Sequence, residues 1–178
     1  MLGRLLSGQP WEFSQHECRE KARQLIRKSR PMVLVGSPMC TWFSVLQNLN
    51  KPRMDAADWK RGYNRAVEHI KFVFELYDMQ FRSEGYFLHE HPAQATSWRL
   101  PVVTEFCARY PHLYAVTADM CQFGLTTPGP RGEEMPAKKP TRWLTNSPCL
   151  AETLERPCPR DHVHEPLMRG LAKVAQVY

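Results

Sequence analysis

Two residues with reactive side chains each follow a short apolar segment. Cys40 lies shortly after residues 32–35, which read Met-Val-Leu-Val, and Glu90 follows residues 86–89. A thiol in such a turn is a nucleophile when its pKa is lowered or a base adjoins it. A carboxyl group in an apolar pocket can stay protonated and donate a proton. Each residue also has an ordinary interpretation, because most cysteines are small buried hydrophobes and loop carboxylates often bond to a neighbouring loop.

A second group of reactive side chains lies near the end of the chain. Cys158, His162 and His164 are close in sequence, and Cys149 lies nine residues before Cys158. Cysteine and histidine are the ligands of tetrahedral zinc. We therefore predict a zinc site formed by these three residues, with Cys149 as the fourth ligand. The spacing matches none of the familiar zinc-finger patterns, so the alternative is a solvated loop with ordinary histidines.

Hydrophobic periodicity places these residues within an alternation of strands and helices. The predicted helices cover residues 15–29, 42–49, 55–83 and 101–110, with a short one from about residue 165. The predicted strands cover residues 32–35, 86–89, 113–117 and 141–145. This alternation predicts a doubly wound α/β sheet, whose functional residues lie at the carboxyl ends of the strands. That rule selects residues 37–41, 90–92 and 119–122, and Asn146.

Composition limits the classes of protein that fit. The 178 residues are 43% hydrophobic and 24% charged, which is typical of one globular domain. The formal net charge of +6 is compatible with a nucleic-acid partner without establishing one. No apolar run is long enough to cross a bilayer, so no membrane partner is expected. Six cysteines without a secretory signal predict reduced thiols in the nucleus or cytoplasm.

The order of four segments resembles the carbon-5 cytosine DNA methyltransferases. The matching segments are residues 34–44 (LVGSPMCTWFS), 87–92 (FLHEHP), 119–125 (DMCQFGL) and 139–146 (KPTRWLTN). The last two are similar to the phage-type branch of that family, and the resemblance spans about residues 11–146. Chains of this kind also resemble domains carried in mobile-element polyproteins of protists and fungi.

The resemblance implies a methyltransferase mechanism. Cys40 would attack carbon six of a cytosine flipped out of the duplex, and Glu90 would contact ring nitrogen three and supply its proton. Carbon five would then take a methyl group from S-adenosylmethionine. Arg142, together with Lys139, would steady the catalytic loop and the flipped nucleotide. The remaining implied contacts are to the cofactor, from Ser37, Pro38 and Asn146, and to nucleic acid, from Lys139 and Gln122.

The sequence departs from the family pattern in two ways. Met39 separates Pro38 from Cys40, where the family has Pro directly before the nucleophile. The Gly-rich turn that holds the methyl donor in the family has no counterpart before residue 31. We therefore expect a partial Rossmann-like methyltransferase sheet over residues 1–148, followed by a Cys/His-containing tail with a C-terminal helix over residues 149–178.

A sheet that lacks the cofactor-binding half, which carries this Gly-rich turn in the family, has an uncovered edge. We expect a second copy, a separate subunit or a polyprotein neighbour to cover the strand at residues 32–35. The chain alone is expected to bind S-adenosylmethionine weakly or not at all. Besides an enzyme, a catalytically inactive binding module and a structural subunit of a larger assembly remain as alternative functions.

Overall fold

Four strands form the main sheet of the protein. In the computed structural model, which describes residues 11–45, 47 and 51–167, these strands are β1 (Val33–Gly36), β2 (Tyr86–Pro92), β3 (Tyr114–Asp119) and β6 (Pro140–Thr145). Their spatial order is β1-β2-β6-β3. β1 is parallel to β2, whereas β6 is antiparallel to both β2 and β3. β1, β2 and β3 therefore run in one direction, and β6 is inserted between two of them in the other.

Among the described residues, the sheet is accompanied by the α-helices α1 (His16–Ser29), α2 (Ala56–Arg82), α3 (Pro101–Arg109) and α4 (Pro148–Leu154). The Asp55 side chain caps α2 by accepting from the backbone N–H groups of Ala57 and Asp58, each at 3.0 Å. α3 and α4 both begin with proline, which the first helical turn tolerates because its N–H groups have no helical partner. Within the described ranges, no helix is both long and apolar enough to cross a lipid bilayer.

The core lies between one face of the sheet and the helices α2 and α3. Tyr77 of α2 stacks on Phe87 of β2 with ring centroids 4.7 Å apart, and Phe106 of α3 meets Phe87 edge-on at 5.6 Å. His89 continues this face and contacts Phe74 of α2 at 5.0 Å. Since side chains alternate along a strand, Leu88 and Glu90 point to the other face.

The prediction of an α/β domain with these four strands is confirmed, and α1, α2 and α3 lie where the periodicity places them. The interval between residues 122 and 140, where neither a helix nor a strand is predicted, contains a hairpin of β4 (Thr126–Pro128) and β5 (Glu134–Pro136). α4 follows β6 where no helix is predicted. Of the predicted helix 42–49, the structure gives a 3₁₀ turn at Thr41–Phe43, while residues 46 and 48–50 lie outside the described residues. Most of the helix predicted from residue 165 lies outside them as well.

Candidate functional site

The carboxyl ends of β1, β2 and β3 meet at one edge of the sheet, because these strands run in the same direction. The loop 37–40 follows β1 at this edge, and Glu90 lies on β2 one residue beyond His89, which pairs with Gly36. Lys139 immediately precedes β6, whose first residue pairs with Asp119 at the end of β3. Four of the predicted site residues, Ser37, Cys40, Glu90 and Lys139, therefore lie along the same edge.

The Glu90 carboxylate is held by the loop that carries Cys40. The Ser37 hydroxyl donates a hydrogen bond to Glu90 Oε2. Glu90 also pairs in register with Trp143 on β6 and points to the face opposite His89 and His91. This contact crosses from the end of β1 to β2, so it fixes the position of the carboxylate relative to the thiol-bearing loop.

The electrostatic environment of Cys40 favours its neutral thiol. Burial raises the pKa of the half-buried Cys40, and the negative charge of Glu90 raises it further. The positive charge of Lys139 acts in the opposite direction and lowers the Cys40 pKa. The thiol, the carboxylate and the ammonium group are thus close enough to influence one another. Nucleophilic attack by Cys40 needs either a proton acceptor or neutralisation of the Glu90 charge.

A buried histidine anchors the Cys40 loop from below. His91 Nε2 lies 3.1 Å from the carbonyl oxygen of Pro38, and its Nδ1 is bonded to the Ser97 hydroxyl. A carbonyl oxygen only accepts, so Nε2 carries the proton and Nδ1 accepts from Ser97. Burial lowers the pKa of His91 to about 4, which keeps the ring neutral near pH 7. His91 is thus a positioning residue: the strand-end rule selects it within residues 90–92, but its sequence pattern does not indicate this role.

A second buried pair holds the end of β1. The Tyr77 hydroxyl donates to the carbonyl oxygen of Gly36 at 3.2 Å and lies 3.1 Å from His89 Nδ1. Burial, with a smaller contribution from His91, moves the pKa of His89 well below its ordinary value. Because Gly36 directly precedes Ser37, this hydrogen-bond pair and His91 fix both ends of the segment that leads to Cys40.

Two other predicted site residues lie away from the Cys40–Glu90 pair. The Arg142 guanidinium stacks over the Trp98 ring at 5.3 Å, on the face that carries His91 and not Glu90. The Asn146 side chain accepts from Phe87 N at 2.9 Å and donates to Gly85 O at 3.0 Å, at the opposite end of β2. Both ends of its amide group are therefore bonded to backbone groups at the start of β2, which extends the pairing of β6 with β2.

Gln122 and Pro38 complete the predicted set. Gln122 lies in the 3₁₀ turn Met120–Phe123, directly after β3. Pro38 is buried, and its carbonyl oxygen is taken up by His91, so its backbone supports the loop from inside.

A cavity of about 530 Å³ opens beside the Cys40 loop. The loop lines it with Met39 and Trp42, and α1, α2 and the preceding segment supply the other walls. Neither Cys40 nor Glu90 lines this cavity. A ligand bound there would contact the residues on either side of Cys40 without reaching its thiol.

A cluster of two cysteines and two histidines lies just beyond β3. The ligand atoms of Cys121, Cys158, His162 and His164 all lie within 4.8 Å of one another, a group that could hold a metal ion. Three of the residues predicted from the tail are therefore brought together. Cys149, the predicted fourth ligand, is exposed on α4 and is not a member of this group. Cys121 takes its place.

The charges around Cys40 lead to a prediction about its reactivity. Replacing Glu90 by glutamine should speed alkylation of Cys40 several-fold near neutral pH, because removal of the carboxylate charge raises the thiolate fraction. Lys139→Gln should slow the same reaction. Peptide mass spectrometry after timed alkylation measures both rates, with the exposed Cys149 in the same molecule as the reference. Equal Cys40 rates in the two variants would mean that these charges do not act on the thiol.

The two groups of side chains are connected through the backbone between them. Met120 N–H donates to the carbonyl oxygen of Lys139 at 3.2 Å, and the Lys138 ammonium lies 3.7 Å from Asp119 Oδ2. The Cys/His cluster therefore adjoins the segment that brings Lys139 to the sheet edge.

Comparison of the chain with protein-family models, with curated proteins and with solved structures gives no match.

Proposed function

We propose that this chain is the catalytic half of a Rossmann-like carbon-5 cytosine methyltransferase acting on nucleic acid. The observation that carries the proposal is the pairing of Cys40 and Glu90 at neighbouring parallel strand ends, with Lys139 beside them. Addition of a thiolate to a cytosine requires a nucleophile and an acid that reach the same base. The carboxyl ends of the strands, where these residues lie, are also where open α/β sheets bind their ligands.

The proposed reaction gives each residue a defined step. The Cys40 sulfur adds to carbon six as its proton passes to water, and Glu90 gives its proton to ring nitrogen three. A neutral Glu90 also removes the charge that raises the pKa of Cys40, so the acid form of this residue favours both events. S-adenosylmethionine, when bound, would supply the methyl group to carbon five. Loss of the carbon-five proton to water, return of the nitrogen proton to Glu90 and departure of the Cys40 thiolate, which regains a proton from water, restore the protein.

The outer edge of β1 supports a two-part cofactor site. In the described part of the chain, β1 pairs only with β2. Val35 is 56% exposed on this strand and Met32, just before it, is 77% exposed. Exposed apolar strand edges are normally covered in native proteins. We propose that a further strand-helix unit, from a second copy, a separate subunit or a polyprotein neighbour, covers β1 and supplies the rest of the S-adenosylmethionine site.

Hydrogen exchange at carbon five tests the first half of this mechanism without the methyl donor. Thiolate addition at carbon six makes carbon five basic, so DNA with tritium at that carbon should release it to water in the presence of the protein. Cys40→Ser and Glu90→Gln should each reduce the release by about 10²-fold or more. Cys107→Ser and Glu105→Gln, on α3, serve as matched controls that retain it. No release above background by the unmodified protein would overturn the catalytic proposal.

A catalytically inactive binding module is the second candidate. It is favoured by the hydrogen bond from Ser37 to Glu90 and by the raised pKa of the Cys40 thiol, both of which oppose activation. Such a module would bind DNA with a salt-dependent affinity while tritium release stays at background. The same DNA and the same variants therefore distinguish the two functions.

We also propose that the Cys/His cluster binds zinc. Two thiols and two imidazoles form a donor set that zinc takes in structural sites. Protein purified without a histidine tag should therefore contain about one equivalent of zinc by elemental analysis, because such sites are filled stoichiometrically.

A further inference from the structure

We infer that Cys121 is the fourth zinc ligand and that the zinc ion is structural. The ion joins the tail to the turn after β3. This inference rests on the proposed zinc binding and specifies its ligand set and its role. Cys121 belongs to the 3₁₀ turn Met120–Phe123, whereas Cys158, His162 and His164 lie in the segment after α4. The zinc ion therefore connects parts of the chain that are separated by more than thirty residues.

The distances between ligand atoms fit a tetrahedral site. Cys158 Sγ lies 3.6 Å from His162 Nε2 and 3.5 Å from His164 Nε2, and Cys121 Sγ lies 3.3 Å from His164 Nε2. Zinc bonds of about 2.3 Å to sulfur and about 2.0–2.1 Å to nitrogen, at tetrahedral angles, separate a sulfur from a nitrogen by about 3.6 Å. A single ion can thus be placed among the four atoms with small adjustments of the side chains.

Groups around the ligands favour their metal-binding forms. The backbone N–H of Arg160 points to Cys158 Sγ at 3.3 Å, and a donor in this position stabilises a thiolate. Arg160 has a φ of 65°, so the turn after Cys158 accepts a rare backbone conformation that aims this N–H at the sulfur. Asp161 Oδ1 lies 2.7 Å from His162 Nδ1. A carboxylate there orients the imidazole so that Nε2 faces the metal.

The surrounding hydrogen bonds join the same two parts of the chain. Asp119 N–H donates to the Arg156 carbonyl oxygen at 3.0 Å, and Asp119 Oδ2 accepts from Cys158 N at 2.9 Å. Farther along the tail, Glu165 N–H donates to the Pro136 carbonyl oxygen at 3.0 Å. Four protein ligands leave no open coordination position, which is characteristic of structural rather than catalytic zinc. The ion therefore completes an existing attachment of the tail.

Cysteine protection in the unmodified protein tests the ligand set directly. With zinc bound, Cys121 and Cys158 should resist alkylation while Cys149 reacts, and a chelator should make both ligands reactive. The chelator should also lower Tm by about 10 °C, because the metal stabilises only the folded state. A disulfide between Cys121 and Cys158 in freshly purified protein, or protection of Cys149 instead of Cys121, would overturn this ligand set.

Variants separate failure of the ligand set from failure of zinc binding. Cys121→Ser should lose most of its zinc and its Tm response to chelator, whereas Cys149→Ser should keep both. Absence of zinc from the unmodified protein would overturn zinc binding altogether. Zinc retained by Cys121→Ser but lost from Cys149→Ser would leave zinc binding intact and overturn the inference. Should Cys121→Ser fail to fold, the protection pattern of the unmodified protein still decides.

Discussion

Replacing Gly36 by alanine is expected to destabilise the domain by about 3 kcal/mol, which corresponds to a fall in Tm of roughly 6–12 °C. A Cβ at Gly36 would lie 2.0 Å from the Tyr77 hydroxyl oxygen and 3.0 Å from its Cζ atom. Tyr77 is only 1% exposed and is stacked against Phe87, so the ring has no space into which to move. Its displacement would also break its hydrogen bonds to Gly36 and His89.

Gly62 provides the matched control for this substitution. A Cβ at Gly62 would meet the Trp42 ring at 2.1 Å, but Trp42 is only half-buried and borders the open cavity. Since alanine also favours a helix interior over glycine by about 1 kcal/mol, Gly62→Ala should change the unfolding free energy much less. Urea denaturation measures both variants. Equal stabilities of Gly36→Ala and Gly62→Ala would contradict the rigid placement of Tyr77.

The effect on stability should be accompanied by an effect on the site. Gly36 ends β1 and leads directly into Ser37, whose hydroxyl holds Glu90.

In the double variant Gly36→Ala/Tyr77→Phe the clashing oxygen is absent, so the loss of unfolding free energy should be smaller than the sum of the two single losses. Additive losses in this double-mutant cycle would show that the Tyr77 oxygen is not what the new methyl group meets.

Local sequence patterns were sufficient to predict the elements that have strong periodicity. The apolar positions of α2 recur at helical spacing, and Asp55 before it is a strong capping residue, so its extent is within a residue or two of the prediction. The apolar runs before Cys40 and Glu90 likewise mark β1 and β2 correctly. The same kind of capping signal marks α4, where Ser147 accepts from Leu150 N–H and Pro148 follows.

Long-range placement explains what the sequence could not supply. No local pattern reveals that β6 is inserted antiparallel between β2 and β3, because strand order depends on the packing of distant segments. That register alone puts Arg142 on the face away from Glu90. The same reason explains why no local pattern places Cys121 in the Cys/His cluster, since it is far from Cys158 in sequence and adjacent to it in space.

At the C-terminus of α2, the local sequence pattern points to the wrong residue for the left-handed conformation, and the reason is physical. A glycine just after a helix typically takes the left-handed conformation, yet here Glu84, and not Gly85, adopts it with a φ of 59°. Gly85 is needed for a different reason, because a Cβ there would lie 2.1 Å from the Gln80 amide nitrogen. Gln80 in turn bonds the Pro31 carbonyl oxygen and so ties the helix to the approach to β1. The Gln80 side chain, which its bond to Pro31 holds in place, therefore determines the glycine, and not a left-handed conformation at Gly85.

Acid is expected to destabilise the domain through the neutral, buried His91 that holds the Cys40 loop. The pKa of His91 is about 4 in the folded protein, against an ordinary value of 6.5, because burial opposes its charge. The unfolded chain therefore takes up a proton on this residue first as the pH falls. The stability that His91 contributes is complete above about pH 6.5 and is lost progressively down to about pH 4. At 1.36 kcal/mol per pKa unit, the loss between pH 7 and pH 5 is about 2 kcal/mol.

His91→Gln isolates this contribution from the other groups that titrate. Its amide nitrogen can still donate to the Pro38 carbonyl oxygen, but the side chain cannot take up a proton. The variant is expected to be less stable at pH 7, while its unfolding free energy should fall by about 2 kcal/mol less than that of the unmodified protein between pH 7 and pH 5. Urea denaturation at both pH values gives the comparison, and pH-dependent changes that do not involve His91 cancel in the difference. Parallel pH profiles would mean that His91 is accessible to protons in the folded state, and the loop that carries Cys40 would then lack its buried anchor.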